Sequence, residues 1–195
     1  MNFFNLHNDT SPKERNYLLD SNVWLPILGL DEESLSEHYQ IFFSKIFKTD
    51  GASIVLCSLQ LSEILNKLLR FHGHKVYASK YSPKDQNKPA FADFYKKHYK
   101  GSDDFKQQYI NIIDDLQGYA SHISFKDPLI KDLDQVVSFN ANKLDFNDHY
   151  LYLLAKETGA IIITHDQDFF GLDVEVGTYN RKLYQEFKDN VKIKK

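Results

Sequence analysis

Apolar residues recur along the chain in two rhythms. Short unbroken runs, Tyr17-Leu18-Leu19, Ala52 to Cys57 and Ala160 to Thr164, lack the alternation of a half-exposed sheet and read as strands buried on both faces. Between them apolar positions fall three and four apart. Leu35, Tyr39, Phe42, Phe43 and Ile46 predict a helix over about 32–48, with Asp31 as its cap. Leu61, Ile64, Leu65 and Leu68 predict a second over about 59–71. Tyr109, Ile110, Ile113 and Leu116 predict a third over about 103–120. Tyr150, Leu151, Leu153, Leu154 and Ala155 predict a fourth, opened by Asp145 and closed by Gly159. Ile123–Phe125 reads as an edge strand, 130–140 as a short helix, Val174–Val176 as a last strand, and a helix follows from about Asn180. Gly73, Pro83, Pro89 and Gly101 mark 72–122 as a helical and loop-rich insertion, with one short helix near 90–99. Strand alternating with helix predicts an α/β, three-layer fold: a central parallel sheet flanked by helices.

Composition narrows the classes. The 195 residues, 42% hydrophobic and 26% charged, suit one globular domain spanning 1–195. A single cysteine, Cys57, excludes an intrachain disulfide and a Cys-rich zinc site. The start Met1-Asn2-Phe3-Phe4 lacks a basic segment followed by an apolar one, and no apolar run approaches a membrane span. A soluble cytoplasmic protein is expected. There is no glycine-rich phosphate loop and no Gly-x-Ser-x-Gly. The eight histidines make no metal-ligand pattern; His72 and His74, flanking Gly73 without an acid nearby in sequence, read as surface residues.

Charge is unevenly spread. The net charge is −3, yet residues 70–100 carry +6, which leaves −9 for the rest. Aromatic rings interleave with those cations. Cations for phosphates and rings for bases suit single-stranded nucleic acid, with Lys96, Lys97, Lys100, Tyr95 and Tyr99 as candidate substrate-binding residues. The same pattern fits a plain helical hairpin with rings inward and lysines solvated.

Four carboxylates stand where such sheets place their chemistry, at the carboxyl ends of strands. Asp20 follows the first strand and Asp166 follows Ala160–Thr164. Glu63 lies in the first turns of the helix after the second strand. Asp148 lies in the first turn of the helix that leads into Ala160–Thr164. Acids at close quarters repel unless a cation neutralises them, and oxygen ligands suit a hard ion such as Mg²⁺ or Mn²⁺. Plainer roles exist for each. Asp20 fits a strand-end turn. Glu63 fits a solvated ion pair with Lys67, four residues on. Asp145 and Asp148 match a capping box. Asp168 is either a further ligand or the cap of a short turn. Asn22 and Thr164 are placed to orient carboxylates by hydrogen bonds.

The segments Leu18-Leu19-Asp20-Ser21-Asn22-Val23, Leu61-Ser62-Glu63-Ile64-Leu65, and Asp145 to Asp148 followed by Thr158 to Phe169 together resemble the PIN-domain ribonucleases, the VapC-type toxins among them. The resemblance covers most of 15–71 and 123–188. It implies an endoribonuclease using Mg²⁺ or Mn²⁺, with Asp20, Glu63, Asp148 and Asp166 as catalytic metal ligands. It also implies 5′-phosphate and 3′-hydroxyl products, a toxin–antitoxin role with a small antitoxin as partner, and a homodimer. The competing expectations are a non-catalytic scaffold on the same fold, binding RNA or protein, and a structure-specific DNA nuclease.

Overall fold

The computed structural model describes residues 3–6, 11–30, 36–169 and 171–193. Six strands form one sheet: β1 (Phe3–Asn5), β2 (Asn16–Leu19), β3 (Ser53–Leu56), β4 (Ile123–Phe125), β5 (Ile161–Ile163) and β6 (Val176–Thr178). Their order is β1-β6-β5-β2-β3-β4 and every pairing is parallel. The central strands are apolar on both faces because both are covered: Leu18, Ile54, Val55 and Ile162 are wholly buried. The α/β architecture with a helix-flanked parallel sheet is the one the pattern predicts.

The topology itself points to a site. From β2 the chain runs outward through β3 to β4, then returns to β5 and β6 on the other side of β2. Strand order therefore reverses between β2 and β5. In open parallel sheets the crevice outside the carboxyl ends of two such strands is the usual place for ligands.

Eight α-helices are described. α1 (Ser21–Ile27) was not legible in the pattern: at seven residues, with Pro26 inside, it is too short to show a period. α2 spans Ser36–Ile46, inside the expected 32–48; Asp31 and Leu35 lie outside the described residues. α3 spans Ser58–Lys80. It runs well past the expected end near 71, because Gly73 does not break it. A Cβ at Gly73 would sit 3.0 Å from the rings of Tyr95 and Tyr99, so this glycine marks a close approach. α4 (Phe91–Phe94) continues into a π-helical turn, Tyr95–Tyr99, and α5 spans Asp103–Gly118. The α5 face is a correction. Ile112 and Leu116 are its buried residues, whereas Tyr109 and Ile110, expected inside, are 44% and 48% exposed. α6 (Leu133–Val137), α7 (Phe146–Thr158) and α8 (Arg181–Ile193) complete the set. β1 was not anticipated, and β6 begins two residues later than the strand expected at Val174.

The chain divides into two compact units, one comprising 1–61 and 122–195, the other Ser62–Ser121. The first holds the whole sheet. Its core gathers Leu18, Val55 and Ile162 from the sheet with Leu151 and Leu154 from α7. Cys57 is fully buried there, and burial pushes its thiol pKa up, which suits an inert core residue. Among the described residues no helix is long and apolar enough to cross a membrane.

Candidate active site

Parallel pairing fixes the geometry of the strand ends. Leu19 lies opposite Ile163, so the next residues, Asp20 and Thr164, leave the sheet side by side. The Asp20 amide donates to Ile163 O at 2.9 Å and continues the ladder one step. Asp20 occupies the N-cap position of α1, yet its side chain makes no cap hydrogen bond. Its Oδ2 accepts instead from Thr164 Oγ1 at 2.7 Å and from Asn22 Nδ2 at 2.8 Å. Asp20 is 8% exposed, and a carboxylate that far from water needs such donors.

The network is nearly saturated. Thr164, fully buried, spends its one proton on Asp20 and accepts from the Asp166 amide at 3.0 Å and from Asn22 Nδ2 at 3.2 Å. Asn22 Oδ1 accepts from the His165 amide at 3.2 Å. Behind it, burial pushes the Tyr39 hydroxyl up to about 12, so it stays protonated and donates to Thr164 O at 3.1 Å. Asn22 and Thr164 thus both donate to the Asp20 carboxylate. Two buried oxygens nearby, Ser21 Oγ and Gln60 Oε1, have no hydrogen-bond partner among the described residues, while the Gln60 amide donates to Leu19 O.

Asp148 arrives from α7. The Asp145 carboxylate accepts from the Asp148 amide at 2.9 Å, and the Asp148 carboxylate reaches back to the Asp145 amide at 3.4 Å, completing the capping box. Burial, then the Asp145 and Asp20 charges, and more weakly Asp168, push Asp148 up to about 7. Burial first, then Asp166 and Asp145, raise Asp168. Asp166 itself is exposed, with Oδ1 accepting from the Gln167 amide at 2.7 Å. Asp148 thus lies in the fields of Asp145, Asp20 and Asp168, and Asp168 in those of Asp166 and Asp145.

Glu63 falls in the Ser62–Ser121 unit, on α3, where it pairs with Lys67 as the i,i+4 spacing predicts. In that unit Tyr99 is a core ring, 1% exposed, packed against Tyr95 and Phe105, so it is closed to base stacking. Tyr95 is half-buried, and Lys96, Lys97 and Lys100 are exposed. Residues the sequence did not single out border Asp166: a pocket is lined by His165, Gln167, Asn180, Lys182 and Glu186. Asn180 Nδ2 donates to His165 O at 3.1 Å. Nothing in the local pattern marks Asn180 or Lys182, since tertiary folding alone brings the start of α8 to the end of β5.

Among the described residues no three His, Cys, Asp or Glu side chains are grouped closely enough to hold a metal ion together. The donor chemistry nevertheless suits a hard divalent cation: all-oxygen donors, a surplus of like charge, and a carboxyl driven toward its neutral form by burial and by the neighbouring acids. A family model described as PIN domain matches residues 17–174. No curated protein sequence matches. Among solved structures, that of PAE2754 from Pyrobaculum aerophilum aligns over 93% of this chain and 94% of its own, at 16% identity and a TM-score of 0.44.

Proposed function

The chain belongs to the PIN-domain family, whose members are metal-dependent nucleases, and from that premise we propose that it is an endoribonuclease cutting single-stranded RNA with Mg²⁺ or Mn²⁺. One observation carries the reading: a buried Asp20 carboxylate, held by Thr164 and Asn22 at the topological switch point, with Asp148 in its field.

By the family likeness Asp20, Glu63, Asp148 and Asp166 are the carboxylates that would meet the ion, with Asp168 as a further candidate; among the described residues no three of them stand close enough, so their side chains would have to turn toward the ion on binding. A divalent cation bound there would supply an activated water and neutralise charge on the phosphate oxygens. The chain's own residues do the rest. Thr164 and Asn22 both donate to Oδ2 of Asp20 and fix that carboxylate in rotation. The Thr164 hydroxyl also pins the Asp166 amide and so sets the direction in which the chain leaves β5. Lys182, in the pocket beside Asp166, offers a positive charge to a phosphate. No histidine is required as a base.

The likeness of 145–169 to VapC-type toxins extends the proposal to a toxin held in check by a small antitoxin, acting as a homodimer. The test is cleavage of matched RNA and DNA oligonucleotides with Mg²⁺, with Mn²⁺ and with chelator. Metal-dependent cleavage of RNA alone, lost in Asp20→Asn, supports the proposal. Cleavage of branched DNA instead would assign a structure-specific DNA nuclease, and no cleavage under any condition a non-catalytic scaffold.

A further inference from the structure

The Ser62–Ser121 unit contains a second surface with chemistry of its own. Its starting point is the π-helical turn. The Lys100 amide donates to Tyr95 O at 2.7 Å, a bond over five residues. That widened turn lets Phe94 and Tyr99, five apart, both point inward, at 2% and 1% exposure. Lys96, Lys97, His98 and Lys100 are left outside. Lys97 pairs with Asp93 at 3.1 Å, whereas Lys96 and Lys100 make no ion pair among the described residues.

Arg70 is the more telling group. It is exposed, and its guanidinium carbon lies 5.7 Å from the Phe91 ring centroid and 5.5 Å from that of Tyr95. Among the described residues it makes neither hydrogen bond nor ion pair, so its charge sits over two rings while all five N–H donors remain unspent. On Phe91 also lies His74, stacked at 3.3 Å with 15° between the planes. His72 is occupied otherwise: it bonds Asp104 at 3.2 Å, the acid partner the local sequence did not reveal. The result is a row of planar groups, His74, Phe91, Arg70 and Tyr95, with the ammonium groups of Lys96 and Lys100, which no acid pairs among the described residues, and that of Lys97, shared with Asp93, close by in the chain.

We propose that residues 70–100 form a holding surface for single-stranded nucleic acid, with Arg70 as its anchor, Lys96, Lys97 and Lys100 meeting phosphates, and the His74–Phe91–Tyr95 row stacking bases. A merely acidic protein partner would use the cations and leave the ring-supported guanidinium and the stacked imidazole without a purpose. A polynucleotide uses both, phosphates for the one and base faces for the other. That the polymer is RNA rather than DNA rests on the nuclease reading above; that it is bound at all does not.

The experiment is fluorescence anisotropy with a labelled 20-nucleotide oligouridylate in EDTA, so that no turnover is involved. Matched oligo(dT), a duplex of equal length and heparin are the comparison arms. The full chain is expected to bind the single strands in preference to the duplex, with affinity falling steeply as salt rises. Substituting Lys96, Lys97 and Lys100 by Ala should weaken binding at least tenfold and flatten the log–log salt slope by about 2, near 0.7 per lost phosphate contact. Arg70→Lys keeps the charge and loses the planar five-donor fork; it should weaken single-strand binding several-fold without changing heparin binding. Oligouridylate bound above oligo(dT) places RNA on this surface, and equal binding places single strands of either sugar. Unchanged affinity and slope in the triple-lysine variant overturns the proposal. So does heparin or duplex binding as tight as the single strand with Arg70→Lys silent, which would make the surface a general polyanion patch. Because Arg70 and the three lysines are exposed, melting temperatures should match wild type and separate lost binding from lost folding. A cleavage defect in Asp20→Asn with intact binding in EDTA keeps the two readings distinguishable.

Discussion

Thr164 Oγ1 donates to Oδ2 of Asp20 at 2.7 Å, joining residues 144 apart in sequence across adjacent parallel strands. The bond is dictated by register, since Leu19 opposite Ile163 leaves these two side by side, and it is the firmest contact in the candidate site. Thr164→Val keeps the shape and removes the hydroxyl. It strips a donor from a buried carboxylate and an acceptor from the Asp166 amide. A loss of about 1–3 kcal/mol in unfolding free energy is expected, with cleavage reduced in parallel. Thr164→Ser should recover most of both. Denaturant titration and a cleavage time course check it, and a Val variant as stable and as active as wild type would remove Thr164 from the site.

Asp20→Asn separates chemistry from folding. The amide can still accept from Thr164 and loses the charge that a cation requires. Cleavage should fall by orders of magnitude while the circular dichroism spectrum is unchanged. Retained cleavage in Mg²⁺ would show that Asp20 holds no metal.

Asp148 gives the pH dependence a definite sign. Its pKa is about 7 in the fold, raised by burial and then by Asp145 and Asp20, against about 4 in the unfolded chain. Between those values the folded protein binds more protons than the unfolded one, so metal-free stability falls as pH rises from 4 to 7 and then levels off. Asp148→Asn cannot ionise. Its melting temperature in EDTA should exceed that of wild type at pH 8 and converge with it near pH 4. A gap of the same size at both pH values would mean that Asp148 is not held protonated.

Legibility followed the physics of each element. The strands at 17–19, 53–56 and 161–163 were readable because burial on both faces leaves an uninterrupted apolar run. The capping box at Asp145 and Asp148 was readable because its bonds are local, and Gly159, at φ 65°, ends α7 as a glycine there should. Asp20 was readable as a strand-end acid, but Thr164 and Asn22 as its specific partners needed the register. What failed depended on distant contacts. Gly73 looked like a break, although its reason is two rings over twenty residues away. Tyr109 and Ile110 fit a helical stripe whose phase the packing of α5 did not adopt. Arg70 carried no signal, because its place over Phe91 and Tyr95 is a tertiary event.

Gly73→Ala tests that reading. On an open helix alanine would stabilise by about 1 kcal/mol. Here the new methyl lies 3.0 Å from Tyr95 and from Tyr99, whose ring is buried and cannot swing away. Overpacking of this kind costs about 1–3 kcal/mol, so the penalty should outweigh the propensity gain. A lower melting temperature is expected, and a higher one would mean that the rings yield.

Glu63 is decided by comparing two readouts. It forms an i,i+4 pair with Lys67, whose side chain is half in solvent, and such pairs contribute a few tenths of a kcal/mol. Glu63→Gln should therefore leave stability within about 0.5 kcal/mol of wild type, whichever role the residue has. Lys67→Met, with a stem of similar length and no charge, removes the same pair while sparing the carboxylate. If Glu63 is only a surface partner, both variants cleave RNA at the wild-type rate. If it serves the metal, Glu63→Gln loses cleavage by orders of magnitude, Lys67→Met does not, and both melt with wild type. The second pattern is expected from the likeness of Leu61 to Leu65 to the family motif. Equal activity in both variants would return Glu63 to the ordinary face of a solvated helix.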